Sequence, residues 1–197
     1  MAPTRRRLLV LAAALSAFPA TAALASADEA TAFVRQMQAE LARAAPPGRD
    51  GDAAAVERIV NRAFDLETIA RATLGSHAAA ATPAQVRRLA RVFALRMTRE
   101  TLRRRKSATG TSKIVRTTPA AAGEWLVYTQ TNQDRQQPVV AAWRVRKGPR
   151  GLKIVDVLRD GASIVSAQRR DIQTALRGNS LDGVITKMEQ RYAKPSG

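Results

Sequence analysis

The sequence contains no cysteine and a single histidine, His77. The missing cysteine excludes disulfide frameworks, thiolate metal centres and cysteine nucleophiles. One histidine excludes a multi-histidine metal site within one chain, and any Ser-His-Asp triad would have to run through His77. Aromatic residues make up only 4% of the chain, so the core must be assembled from small and aliphatic side chains. The glycines sit at turns and helix ends rather than in a phosphate-binding loop, and no H-E-x-x-H, G-x-S-x-G or EF-hand pattern occurs. Acid is scarce as well. Sixteen Asp and Glu stand against 33 Lys and Arg, a formal charge of +17 over 197 residues. With 45% hydrophobic residues, this is no disordered basic tail but a chain long enough for one domain with a real core.

Arg5, Arg6 and Arg7 precede a short apolar run, Leu8 to Ala17, broken only by Ser16. Two A-x-A sites follow, Ala23-Leu24-Ala25 and Ala25-Ser26-Ala27. This is the three-part pattern of a secretory signal peptide. The run is shorter than the roughly 20 residues a bilayer span requires, and no cysteine follows it for acylation. The triple arginine fits general or twin-arginine export. Residues 1–27 are therefore expected to be a cleaved signal peptide and residues 28–197 a single exported domain. Removing three arginines and no acid lowers the formal charge to +14. A basic protein is a nucleic-acid candidate by default, but an exported one meets anionic lipid surfaces instead. The plainer alternative is arginine spread over solvated faces.

Helical spacing of Phe33, Met37 and Leu41 predicts a helix over 28–45, ended by Pro46-Pro47-Gly48. A second helix is expected over 53–63 and a third over 66–74, N-capped by Asp65 and closed by Gly75. Thr82-Pro83-Ala84-Gln85 reads as a capping box with proline at the first helical position, opening a helix to about Arg105. The basic run Arg103 to Lys106 at its end complements the helix dipole. From Lys113 the period changes to two. Strands are expected over 113–117, 124–131, 137–147 and 152–158, with Trp143 and Val145 on one face of the third and Val140 and Ala142 on the other. Ser163 caps a helix to Arg177, and Ser180 caps a last one to about Tyr192. Helices, a meander, then helices make an α+β fold: a curved antiparallel sheet of four to five strands, covered by helices, with a cavity possible between the layers.

The residues offer little reactive chemistry. Asp65 and Glu67 lie at a helix start and suit capping. Asp156 falls within an apolar strand and needs a backbone N–H or an arginine as partner. His77 reads as a loop residue. No nucleophile, base and orienter come together, so no enzyme, catalytic residue, cofactor or metal site is expected.

Two segments carry a resemblance. The first runs Phe64-Asp65-Leu66-Glu67-Thr68-Ile69-Ala70-Arg71-Ala72-Thr73-Leu74-Gly75, followed by Thr82 to Gln85 and Phe93. The second is Leu152-Lys153-Ile154-Val155-Asp156-Val157, then Asp160 to Val165 and Gln168-Arg169. In this order, behind a signal peptide, they resemble the MlaC (toluene-tolerance) family of periplasmic phospholipid-binding proteins over about residues 55–190. The sequence departs from the family's aromatic positions at His77-Ala78-Ala79, at Leu152 and at Gln168 to Ile172. The resemblance implies a monomeric periplasmic shuttle that maintains outer-membrane lipid asymmetry. Such a shuttle exchanges a phospholipid between an outer-membrane lipoprotein complex and an inner-membrane ABC transporter with an MCE-domain subunit, and has no nucleic-acid partner. A hopanoid ligand, and a basic envelope adaptor that binds no lipid, are the competing readings; a hydrolase on a similar fold is a third. The lipid cavity is expected to be lined by Ile69, Leu74, Leu89, Phe93, Met97, Val127, Trp143, Val145, Val157 and Ile164, the aliphatic and aromatic side chains that the two layers turn towards each other.

Overall fold

The computed structural model describes residues 25–108, 110–121, 123–133 and 136–193; all but the last three residues of the expected signal peptide lie outside them. Helices α1 (Ala27–Ala44), α2 (Ala53–Ala63) and α3 (Leu66–Leu74) come first, then a 3-10 turn over Gly75–Ala78 and the long α4 (Pro83–Lys106). Strands β1 (Ser112–Pro119), β2 (Glu124–Gln133), β3 (Gln136–Gly148), β4 (Gly151–Arg159) and β5 (Ala162–Ser163) follow, and α5 (Ile164–Ala175) and α6 (Leu181–Ala193) close the described chain.

The helix starts are set by local hydrogen bonds. Asp65 accepts from the Thr68 N–H, Thr82 and Gln85 form the expected capping box, and Ser163 accepts from the Ser166 N–H. At α1 the fold begins earlier than residue 28. Ser26 and Glu29 form a second capping box, and the buried Ala25 offers its carbonyl to the Trp125 indole N–H at 2.8 Å. Gly75 ends α3 at φ +57°, ψ −124°, a conformation open to glycine and strained for other residues. Its loose α3 carbonyls are taken up from α5: Arg169 donates to Ala72 O and Gln173 to Leu74 O, both at 2.7 Å.

The strands pair in sequence order, each antiparallel to the next. The register shifts at Ile114/Arg116 and again at Arg144/Val145, and such bulges bend and twist a sheet. Val145 is fully buried and packs with Trp143 on the inward face, as expected; on the opposite face Val140 is exposed but Ala142 is buried. Beneath the inward face, Val127, Val145 and Ile154 pack against Ala30, Val34 and Met37 of α1 and Ile59 and Ala63 of α2. A second cluster joins α3, α4, α5 and α6 through Ile69, Leu74, Leu89, Phe93, Ile172 and Ile185. A third, of Ala45, Val56, Val60 and Ala94, ties α2 to α4. Phe64, in the link between α2 and α3, packs against all three.

The basic end of α4 does more than complement the helix dipole. The Arg105 guanidinium donates to Ala45 O, the Gly48 N–H donates to Arg105 O at 2.9 Å, and Lys106 pairs with Asp50 at 2.8 Å. Together they pin the segment between α1 and α2 to α4. Gly51 lies at the closest approach. A Cβ there would fall 2.6 Å from Ala45 Cβ and 2.8 Å from a Leu102 methyl. Gly51→Ala is therefore expected to cost about 1–3 kcal/mol through overpacking. Gly148→Ala, where a Cβ would meet nothing nearer than 3.9 Å, should change stability by no more than about 0.5 kcal/mol. Urea unfolding of the two variants provides the comparison.

Candidate functional site

The ten residues expected to line a common cavity fall into two packed groups. Ile69, Leu74, Leu89 and Phe93 are buried in the helical cluster, with Met97 partly buried against it. Val127 and Val145 are buried on the sheet side, where Trp143 and Val157 pack against them. Ile164 opens α5 and is half-buried. The two groups form distinct clusters of packed side chains. They meet at Phe64, whose ring stands edge-on to Trp143 with centroids 6.4 Å apart and planes at 65°. Phe64 was legible as part of a family segment, but nothing in the sequence marked it as the residue common to all the clusters.

None of the ten lines either of two clefts on the described surface. One cleft, of about 460 Å³, lies between α1 and α2 and carries Arg43, Arg58 and Arg62 with Glu40 and Asp52. The other, of about 320 Å³, lies where α3, α4 and the β3–β4 turn converge. Its floor is Phe64, Leu66 and Ala90, and its walls carry Arg87, Arg91, Arg150 and Lys153 with Asp65 and Glu67. The Lys153 ammonium donates to Arg62 O. Burial, with Arg150 close by, pushes its pKa below the ordinary lysine value.

Asp156 finds its partners in the backbone and a hydroxyl rather than in an arginine, although Arg144 is its register neighbour on β3. Its carboxylate accepts from the Val157 N–H at 2.8 Å, the Ser163 hydroxyl at 2.6 Å and the Val165 N–H at 3.2 Å. This ties β4 to the start of α5, a structural role. His77 is exposed in the 3-10 turn. Among the described residues no group of His, Asp and Glu is placed to hold a metal ion.

Arg88 locks α6 to α4. Its guanidinium forks onto Glu189 at 3.0 and 2.7 Å, and also reaches Asp182 at 2.8 Å and the Thr186 hydroxyl at 3.0 Å. The hydrogen bond from Arg88 holds the Glu189 carboxyl below the usual carboxylate range.

A family model described as "MlaC protein" matches residues 25–190. Among solved structures, a phospholipid-binding protein from Ralstonia solanacearum, in complex with a phospholipid, has the same fold. Its TM-score is 0.69 at 20% sequence identity, over 83% of this chain and 97% of that one. No curated protein matches the chain significantly.

The lowered Glu189 value carries a sign. The ion pair stabilises the fold fully above the ordinary carboxylate range and loses its contribution as pH falls through the depressed folded-state value. Melting temperature should therefore drop on acidification more steeply in the wild type than in Arg88→Gln, where Glu189 loses the main cause of its lowered value and keeps only the weaker pull of Arg91. Parallel acid limbs in thermal melts of the two proteins would contradict this.

Proposed function

The chain belongs to the MlaC family, and from that premise we propose that it binds a phospholipid in the periplasm and carries it between the two membranes. The family match across residues 25–190 carries the reading. The fold shared with a protein solved with a phospholipid supports it. Family membership points to binding and transport rather than catalysis. On this reading the partners are an inner-membrane ABC transporter with an MCE-domain subunit and an outer-membrane lipoprotein complex, and the protein acts as a monomer. The leader is removed at one of the two A-x-A sites. A cut after Ala25 leaves the Ser26 cap of α1 in the mature chain, and a cut after Ala27 removes it.

The acyl chains enter where the sheet-side and helical clusters meet, beside Phe64 and Trp143. The lipid exchanges side-chain contacts across this seam for contacts with its own methylenes. Each buried methylene contributes about 0.8 kcal/mol, so ten supply roughly 8 kcal/mol, around micromolar affinity before ordering costs. Exchange between membranes suits an affinity of this order, because a carrier must also release its cargo. The exposed basic residues serve docking to anionic surfaces.

Two outcomes test the proposal. Native mass spectrometry of the exported protein should find one phospholipid per chain. Val145→Trp, which fills space on the sheet side of the seam, should lose that lipid while still unfolding cooperatively. A wild-type protein that emerges free of lipid and accepts none from vesicles would overturn the reading. Raising salt should weaken association with anionic vesicles, because exposed charges are screened, and leave lipid already held in place; co-sedimentation followed by lipid extraction measures both.

A further inference from the structure

Four cations from three elements converge on the 320 Å³ cleft: Arg87 and Arg91, one turn apart on α4, Arg150 in the β3–β4 turn, and Lys153 on β4. Two carboxylates share the cleft with four cations, and although Asp65 acts electrostatically on Lys153, positive charge remains in excess. Asp65 already accepts from the Thr68 N–H and lies 3.7 Å from Arg146, outside the cleft. Glu67 is exposed, and among the described residues none of the three arginines has a carboxylate within ion-pair distance. Lys153 is half-buried and fixed by the Arg62 carbonyl. An excess of like charge held together in one cleft is relieved when an anion joins it. The cleft is concave, so it suits a compact anion better than a flat membrane surface. Guanidinium forks match the oxygen spacing of phosphate. Phe64, Leu66 and Ala90 give the cleft an apolar part, and the Phe64 ring also meets Trp143 of the sheet.

We propose that this cleft holds the phosphate of an anionic lipid head group, so that the protein loads net-negative phospholipids in preference to zwitterionic ones. The proposal rests on the lipid-carrier reading and adds to it a head-group site and a substrate class.

The test loads the full exported chain from vesicles of equimolar phosphatidylglycerol and phosphatidylcholine and measures the ratio bound. The wild type should favour phosphatidylglycerol about tenfold. Arg87→Gln/Arg91→Gln should bring the ratio to within about twofold of unity. Both arginines are exposed, so the change does not endanger folding. Arg43→Gln/Arg58→Gln removes the same charge from the other cleft and should keep the preference. If both double variants lose it equally, net charge rather than this cleft sets the preference and the proposal fails. If the wild type loads both lipids equally, the head-group assignment falls and the carrier reading stands; if it loads neither, both fall. Line broadening of inorganic phosphate in phosphorus NMR separates the two sources of phosphate. Broadening by the wild type but not by Arg87→Gln/Arg91→Gln, together with equal lipid loading, would reassign the cleft to free phosphate and overturn the lipid proposal.

Discussion

The two residues between α2 and α3, Phe64 and Asp65, are the joint on which the arrangement of the fold depends. The Asp65 N–H donates to Ile154 O at 2.9 Å, and Phe64 forms a parallel bridge with Ile154. This attaches the helices to β4 through the backbone. From the same two residues, the Phe64 ring enters all three core clusters and the Asp65 carboxylate starts α3. Where α3 points therefore follows from how this link meets the sheet, and α4, α5 and α6 are packed in turn on α3 and on one another.

Arginines on one helix, α4, play two different physical roles. Arg88 and Arg105 are partly covered, and their guanidinium groups meet carboxylates or carbonyls that would otherwise lack partners. These are fasteners, one holding α6 to α4 and the other holding the α1–α2 segment to the end of α4. Arg87 and Arg91 lie on the same helix as Arg88, yet they face a cleft with Arg150 and Lys153 and form no such pairs among the described residues. Residues of one type and one helix thus include both structural clamps and members of a cationic cleft.

The scarcity of large aromatic side chains shapes the interior in a comparable way. The buried residues are mainly Ala, Val, Ile and Leu, which close into separate compact groups instead of around one dominant ring system. Phe64 and Trp143 meet where those groups adjoin. Both sides of this junction are apolar, which is what the proposed entry of acyl chains requires.

What could be read from the sequence was whatever short-range physics decides. The caps at Asp65, Thr82 and Ser163 are hydrogen bonds over three residues, and each was legible from residue type and spacing. The inward facing of Val145 followed from the period of two, and the antiparallel meander from the shortness of the turns. The MlaC-like segments were visible because residues 64–75 and 152–165 lie in compact stretches of chain. Hidden from the sequence was everything decided by residues far apart in it. Arg88 reaches partners more than ninety positions away. Asp156 took the N–H groups and hydroxyl at the start of α5 rather than the arginine beside it. The tightness at Gly51 arises because α4 returns against the α1–α2 segment. The cationic cleft is assembled from residues near 65, 90 and 150, whose convergence depends on the joint between Phe64, Asp65 and Ile154. Local hydrogen-bond geometry and side-chain periodicity are set within a few residues, whereas the meeting of distant charges is set by how whole elements pack, and that the tertiary structure alone decides.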